Sequence, residues 1–326
     1  MQQFRCWKSL LATVLLAITG STAAQGWKPE RHVELVIPTS PGGSNDIAGR
    51  TIHKVITDLK LLPVSISVAN RSGGEHNVAY TYVSQRSGDA HTIAMMSTPM
   101  LVNPIGGRSQ LTHNDVTPIA YILTEPMIAL VRADSPLKTG RDAVDALRKN
   151  ADALSIALTS NGHRVSIGLP LLKAGVTLKG IRMPAFKGGG ETVTAVLGGH
   201  ADMLITSVST SVPHITAGKM RGLAVSSGKR MGGALADVPT WQELGFPSSG
   251  SWKGVMGPKG MTPAQVAYWE DVLRKVSQSE ELRQYAEQNQ WVLEFKTAAD
   301  TKKWLDTEFA ALKTAMTELG LVRSPQ

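Results

Sequence analysis

Short apolar runs alternate with helical patterns along most of the chain, and this alternation restricts the fold more than any other feature. His32–Ile37 (HVELVI) reads as a buried strand that runs through Pro38 into a turn rich in Gly and Ser. Ile47, Thr51, Val55, Ile56 and Leu59 then fall on one helical face. Further strand candidates are Val64–Val68, Thr92–Met96, Met127–Val131, Leu154–Leu158, Ala201–Thr206, Arg221–Ser226 and Val292–Phe295. Helical patterns separate most of them, the signature of parallel sheets with crossover helices. The expected class is α/β.

The C-terminal third is mostly helical in pattern. Thr262-Pro263-Ala264-Gln265 combines a Thr N-cap, a Pro at the first helical position and a Gln that completes a capping box. Thr297-Ala298-Ala299-Asp300 opens the last long helix in a similar way, and Gly320 suits its C′ stop. Clusters of Gly, Pro and Ser at 245–251 and around Thr124-Glu125-Pro126 are the candidate crossings between two domains. A chain of 326 residues has room for two domains of ordinary size.

At the N-terminus, Arg5 and Lys8 precede an apolar run from Leu10 to Ile18, followed by Gly20-Ser21-Thr22-Ala23-Ala24. That order of charged, apolar and small residues is a secretory signal peptide, with cleavage expected after Ala24. The run is shorter than the ~20 apolar residues a membrane-spanning helix needs. Removing residues 1–24 takes away Arg5 and Lys8 and no acid, so the net charge of +8 becomes about +6. It also removes Cys6, the single cysteine, which leaves the mature chain without disulfide or thiol chemistry. The mature protein is expected to be soluble outside the cytoplasm.

Composition narrows the function classes further. Charged residues make up 18% of the chain, and the basic ones are scattered. No basic stripe is interleaved with aromatics, so nucleic acid is not an expected partner. The eight histidines include no pair with the i,i+4 spacing of a helical zinc site, and no HExxH or GxxxxGK[ST] motif is present. Neither a metal nor a nucleotide cofactor is expected.

Three turns of small residues carry the candidate site. Each sits between an apolar run and the start of a helical pattern: Pro41-Gly42-Gly43-Ser44-Asn45-Asp46, Thr159-Ser160-Asn161-Gly162-His163, and Met183 to Glu191 with Lys187-Gly188-Gly189-Gly190 at its centre. Such turns offer backbone N–H groups and the positive end of a helix dipole, which suits an anion. Three of them in an exported protein suggest carboxylate capture between domains, with Lys187 adding a charge-assisted contact. Ser44 allows a second reading. Gly42-x-Ser44-x resembles a nucleophile elbow, although Asp46 stands where the final Gly belongs. Ser44 also fits an N-cap, and Asp46 fits the helix dipole.

At these motifs the sequence resembles the solute receptors of tripartite tricarboxylate transporters, the Bug-type periplasmic binding proteins. The resemblance covers residues 28 to 322. It rests on Val36-Ile37-Pro38 leading to Gly42–Asp46 with Arg50, then Asn70-Arg71-Ser72-Gly73-Gly74 and Gly88 to Ile93. Phe186 to Glu191, Leu197 to Asp202, Pro213-His214-Ile215, Asp237 to Gly245 and Trp252–Pro258 continue it in order. It implies a type II periplasmic-binding-protein fold: two α/β lobes around a cleft, with two interdomain crossings. Lobe one would be 28–125 plus 252–326, and lobe two 126–251. It implies a small carboxylate ligand, permease subunits of a transporter as partners, no cofactor, and a monomer. The ligand would be held by Pro41, Gly42, Gly43, Ser44, Asn45 and Asp46 with Ser97 and Thr98 on lobe one. Ser160, His163, Lys187, Gly188, Gly189 and Ser207 would hold it on lobe two. Alternatives are a ligand sensor feeding a signalling partner, or a secreted serine hydrolase using Ser44. Three departures from the family pattern are Ala69, Glu75-His76 in the next turn, and His91 where a Tyr is usual.

Overall fold

The computed structural model describes residues 26–186 and 188–322. The signal-peptide reading of residues 1–24 and the assignment of Lys187 therefore lie outside the described residues. In chain order the strands are β1 (Val33–Ile37), β2 (Ile66–Asn70), β3 (Thr92–Ser97), β4 (Val116–Glu125), β5 (Met127–Arg132), β6 (Ile156–Ala157), β7 (Met203–Ser207), β8 (Met220–Val225), β9 (Ser251–Pro258) and β10 (Val292–Lys296). They form two sheets, ordered β10-β4-β9-β3-β1-β2 and β6-β7-β5-β8. The helices are α1 (Ser44–Asp58), α2 (Asn77–Ser84), α3 (Pro99–Ile105), α4 (Gly140–Lys149), α5 (Asn161–Lys173), α6 (Gly189–Leu197), α7 (Val208–Thr216), α8 (Pro263–Ser277), α9 (Glu280–Asn289) and α10 (Ala298–Glu318).

Helices cover both faces of the larger sheet, which explains why β1 and β3 read as continuous apolar runs. Along β1 and β3, Leu35, Ile37, Ile93 and Met95 enter one core with α1, α8 and α9 residues such as Ile52, Trp269 and Leu282. Val36, Ala94 and Met96 enter the opposite core with Tyr80, Leu101 and Leu312. The smaller sheet divides in the same way: Met127, Ala129 and Val131 face one core, while Ile128 and Leu130 face another. The chain passes from the larger sheet to the smaller through Pro126 alone, between β4 and β5, and returns between β8 and β9. This is a mixed α/β architecture of two lobes joined by two crossings.

The helix signals in the C-terminal third hold. Thr262 and Gln265 form the reciprocal capping box at α8, with Pro263 at its first position. Gly320 takes φ +68 after α10, and Leu321 N–H and Gly320 N–H bond back to Met316 and Thr317 carbonyls, a Schellman stop.

The sheets differ from the all-parallel expectation. Pairs β1–β2, β1–β3 and β6–β7 are parallel, whereas β3–β9, β4–β9, β10–β4, β5–β7 and β5–β8 are antiparallel. In the larger sheet every antiparallel pair involves β4 or β9, strands that the apolar-run pattern passes over. Pro118 interrupts β4, and the structure absorbs it with a register shift against β9 between Pro118 and Ala120. Strand β9 carries Lys253, Gly254 and Gly257, a loop-like composition. Gly254 is required by packing: a Cβ there would lie 2.6 Å from the Ala120 carbonyl oxygen and 2.8 Å from Met96 Cε. Valine at 254 should cost about 3 kcal/mol, at the upper end of ordinary overpacking. It should show as a lowered urea midpoint, and an unchanged midpoint would mean the strands part without cost.

Candidate functional site

The loops at the facing ends of the two sheets enclose a cleft of about 680 Å³. The larger-sheet lobe lines it with residues from Pro38 to Asn45, Ser72 to His76, and Ser97 to Pro99. The smaller-sheet lobe answers with Thr159, Ser160, Gly162, His163, Gly188 to Gly190, Thr206, Ser207 and Thr210. The lobes meet closely here, since a Cβ on Gly162 would sit 3.2 Å from Thr98 Cγ2.

Among the described helices, those that start at the cleft differ from those that start elsewhere. Helices α1, α2, α3, α5, α6 and α7 begin after Gly43, His76, Thr98, Ser160, Gly188 and Ser207, and none of these residues caps its helix through a side-chain hydrogen bond. All six line the cleft. Helices α4, α8, α9 and α10 begin after Thr139, Thr262, Ser279 and Thr297, and each of those side chains accepts from a first-turn N–H. None of the four lines the cleft. First-turn N–H groups have no partner inside a helix, so a side chain, solvent or a ligand must satisfy them. The cleft is thus ringed by backbone donors and helix-dipole positive ends. Ser44 is the first residue of α1 rather than its N-cap, which is Gly43. That corrects the capping role read from the sequence.

The floor holds a buried ion pair. Glu125, at the end of β4, and Lys253, in β9, are 0% and 2% exposed. Lys253 Nζ lies 3.0 Å from Glu125 Oε2 and donates to Ser251 Oγ at 3.0 Å. The Ser44 hydroxyl donates to Glu125 Oε2, and the Ser209 hydroxyl donates to Oε1 at 2.7 Å. Burial alone would raise the Glu125 pKa. The Lys253 charge and the hydrogen bonds from Ser44 and Ser209 outweigh it and bring the value below the ordinary range. Two histidines flank this pair. Burial, helped by the Lys253 charge, lowers His76 to about 3. Burial also lowers His163 to about 4, against the opposing effect of Glu125. Both rings are neutral at physiological pH. Thr159 N–H donates to His163 Nδ1 at 3.3 Å, so the neutral ring carries its proton on Nε2.

The turn before α2 is conformationally unusual. Gly73, Gly74, Glu75 and His76 have φ of +134, +53, +52 and +80 in succession. Non-glycine residues in this region cost of order 1–3 kcal/mol each and persist where surroundings hold them. Asn103 does so, donating Nδ2 to the Glu75 carbonyl at 2.8 Å, while the Glu75 carboxylate pairs with Arg108.

The structure brings together Pro41, Gly42, Gly43, Ser44, Asn45, Ser97, Thr98, Ser160, His163, Gly188, Gly189 and Ser207, all of them cleft-lining. Asp46 is not among the lining residues. It is 3% exposed and accepts from Gly42 N–H, Arg50 Nε and Asn70 Nδ2. Burial works against its ionisation, but those hydrogen bonds and Arg50 prevail and lower its pKa. Asp46 shapes the loop that the other residues present. Sequence reading missed Lys253, Glu125 and Ser209. It noted Glu75 and His76 only as a departure from pattern.

A family model described as "Tripartite tricarboxylate transporter family receptor" matches residues 53–321. A protein from the tcbD–tcbE intergenic region of Pseudomonas sp. is 30% identical over 267 residues, covering 79% of this chain and 78% of that one. Protein BugT of Bordetella pertussis is 28% identical, covering 72% of this chain and 73% of its own. Among solved structures, a TctC solute binding protein from Polaromonas is 25% identical with a TM-score of 0.70, covering 89% of this chain and 99% of that one. An R. palustris protein solved with adipate superposes with a TM-score of 0.80 at 23% identity, covering 90% of this chain and 99% of that one.

Proposed function

The chain belongs to the tripartite tricarboxylate transporter receptor family, and from that premise we propose that it is a periplasmic receptor which captures a small carboxylate and delivers it to membrane permease subunits. Lobe one (28–125 plus 252–326) and lobe two (126–251) close on the solute, each binding it through backbone donors. The observation that carries this reading is the partition of helix starts: side-chain caps away from the cleft, none at it. A carboxylate offers two acceptor oxygens to such N–H groups, and opposite walls can take opposite ends of the solute. The adipate-bound structural neighbour supports the same ligand class. Closure follows because only the closed form lets the solute touch both lobes, which shifts the population toward it.

A thermal-shift screen of di- and tricarboxylates, acidic amino acids and aromatic acids tests the proposal. A true ligand at ~100 times its dissociation constant should add about 2.7 kcal/mol of stability. A shift by a sugar or a cationic solute, with none by any carboxylate, would sink it. The hydrolase reading of Ser44 has weak chemical support. Its hydroxyl proton points at Glu125, a carboxylate whose lowered pKa makes it a poor general base.

A further inference from the structure

Lys253 is the only lysine or arginine among the described residues that line the cleft. Its ammonium carries three N–H donors. Glu125 and Ser251 take two of them, at 3.0 Å each. Glu125 does not spend its whole charge on Lys253, because the same carboxylate also accepts from Ser44 and Ser209. The neighbouring histidines are neutral and do not compete as cations. A buried ion pair is no more stabilising than two well-packed apolar side chains of the same size, so stability alone does not account for a cation at this floor. Its position does: β9 brings Ser251 and Lys253 into the cleft lining, and Glu125 ties Lys253 to the donor-bearing starts of α1 and α7 through Ser44 and Ser209.

On the receptor reading given above, we propose that Lys253 is the charged anchor of the site, donating its third N–H directly to a carboxylate of the solute. The helix starts then supply the neutral donors, and Glu125 and Ser251 are positioning residues that fix the ammonium. The solute class follows: a carboxylate that meets a cation without an intervening water, and that the receptor distinguishes from its uncharged carboxamide.

The test is calorimetric titration of malate and adipate, each against its diamide, into wild type, Lys253→Gln and Glu125→Gln/Lys253→Gln. Wild type should prefer acid over amide. Lys253→Gln should weaken the acid by about tenfold to a hundredfold, the range for a hydrogen bond to a charged group, and shrink the preference. The single variant leaves Glu125 unpaired, so the double variant is the folding control. It should recover the thermal stability and stay weak for the acid. If the double variant binds malate or adipate as wild type does, Lys253 is structural and the assignment fails while the receptor reading stands. If wild type binds neither acid, the pair is replaced by any carboxylate that raised the melting temperature in the thermal-shift screen and its amide; if no carboxylate did, the receptor reading itself fails and takes the assignment with it.

Discussion

Replacing Glu125 with alanine is expected to destabilise the protein by about 3–5 kcal/mol, the cost of leaving one partner of a buried ion pair uncompensated. Lys253, 2% exposed, would keep a charge with only Ser251 to receive it. Ser44 and Ser209 would lose their common acceptor. Chemical unfolding followed by tryptophan fluorescence reads the effect as a lowered midpoint. The companion variant Glu125→Leu/Lys253→Met removes both charges at similar volume and should fall within about 1–2 kcal/mol of wild type, or above it. The sign with pH is fixed by the direction of the shift. Glu125 has a lowered pKa in the fold, so its stabilising share is complete above the ordinary carboxylate range and is lost as pH falls through the lowered value. The gap between wild type and Glu125→Ala should therefore narrow in acid. A loss below about 1 kcal/mol at neutral pH would show that water reaches the pair and screens it.

That ion pair also marks where sequence reading stops. The glycine-rich turns before α1, α5 and α6 were legible because strand, small residues and helix follow one another locally. The paired caps of α8 were legible for the same reason. Glu125 and Lys253 have no such local signature. They meet because β4 and β9 pair antiparallel, with Glu125 opposite Ser251 and Leu123 opposite Lys253. Both strands were hidden, one by Pro118 and the other by its glycines and lysine. Asp46 failed in the opposite direction. Its place in a glycine-rich turn suggested a ligand contact, yet its spacing to Arg50 matched an i,i+4 ion pair. In the fold that pair and Asn70 claim the carboxylate. Ser44 shows how a side chain of capping type can be spent elsewhere. Its hydroxyl is drawn to Glu125 at the C-terminal end of β4, and Gly43 is left to open the helix.

The uncapped helix starts lead to a prediction in which stability and binding move apart. Gly188, the N-cap of α6, has φ −160 and ψ 165, an extended conformation open to any residue, and a Cβ there meets nothing within 4 Å. Gly188→Asp should fold without strain and cap the helix, raising stability by up to roughly 0.5 kcal/mol, since Asp improves on Gly at this position by a few tenths. The same carboxylate would occupy the first-turn N–H groups and place a negative charge in the cleft. It would stand where a solute carboxylate is proposed to bind. Affinity for adipate should fall by about a hundredfold or more, the combined loss of charge-assisted donors and added like-charge repulsion. Gly188→Asn caps without charge and should lose less, which separates occupied donors from repulsion. Titration calorimetry and thermal unfolding on the same samples give both readings. A Gly188→Asp variant that binds adipate within about twofold of wild type would remove the start of α6 from the site, because two anions cannot share one helix N-terminus without cost.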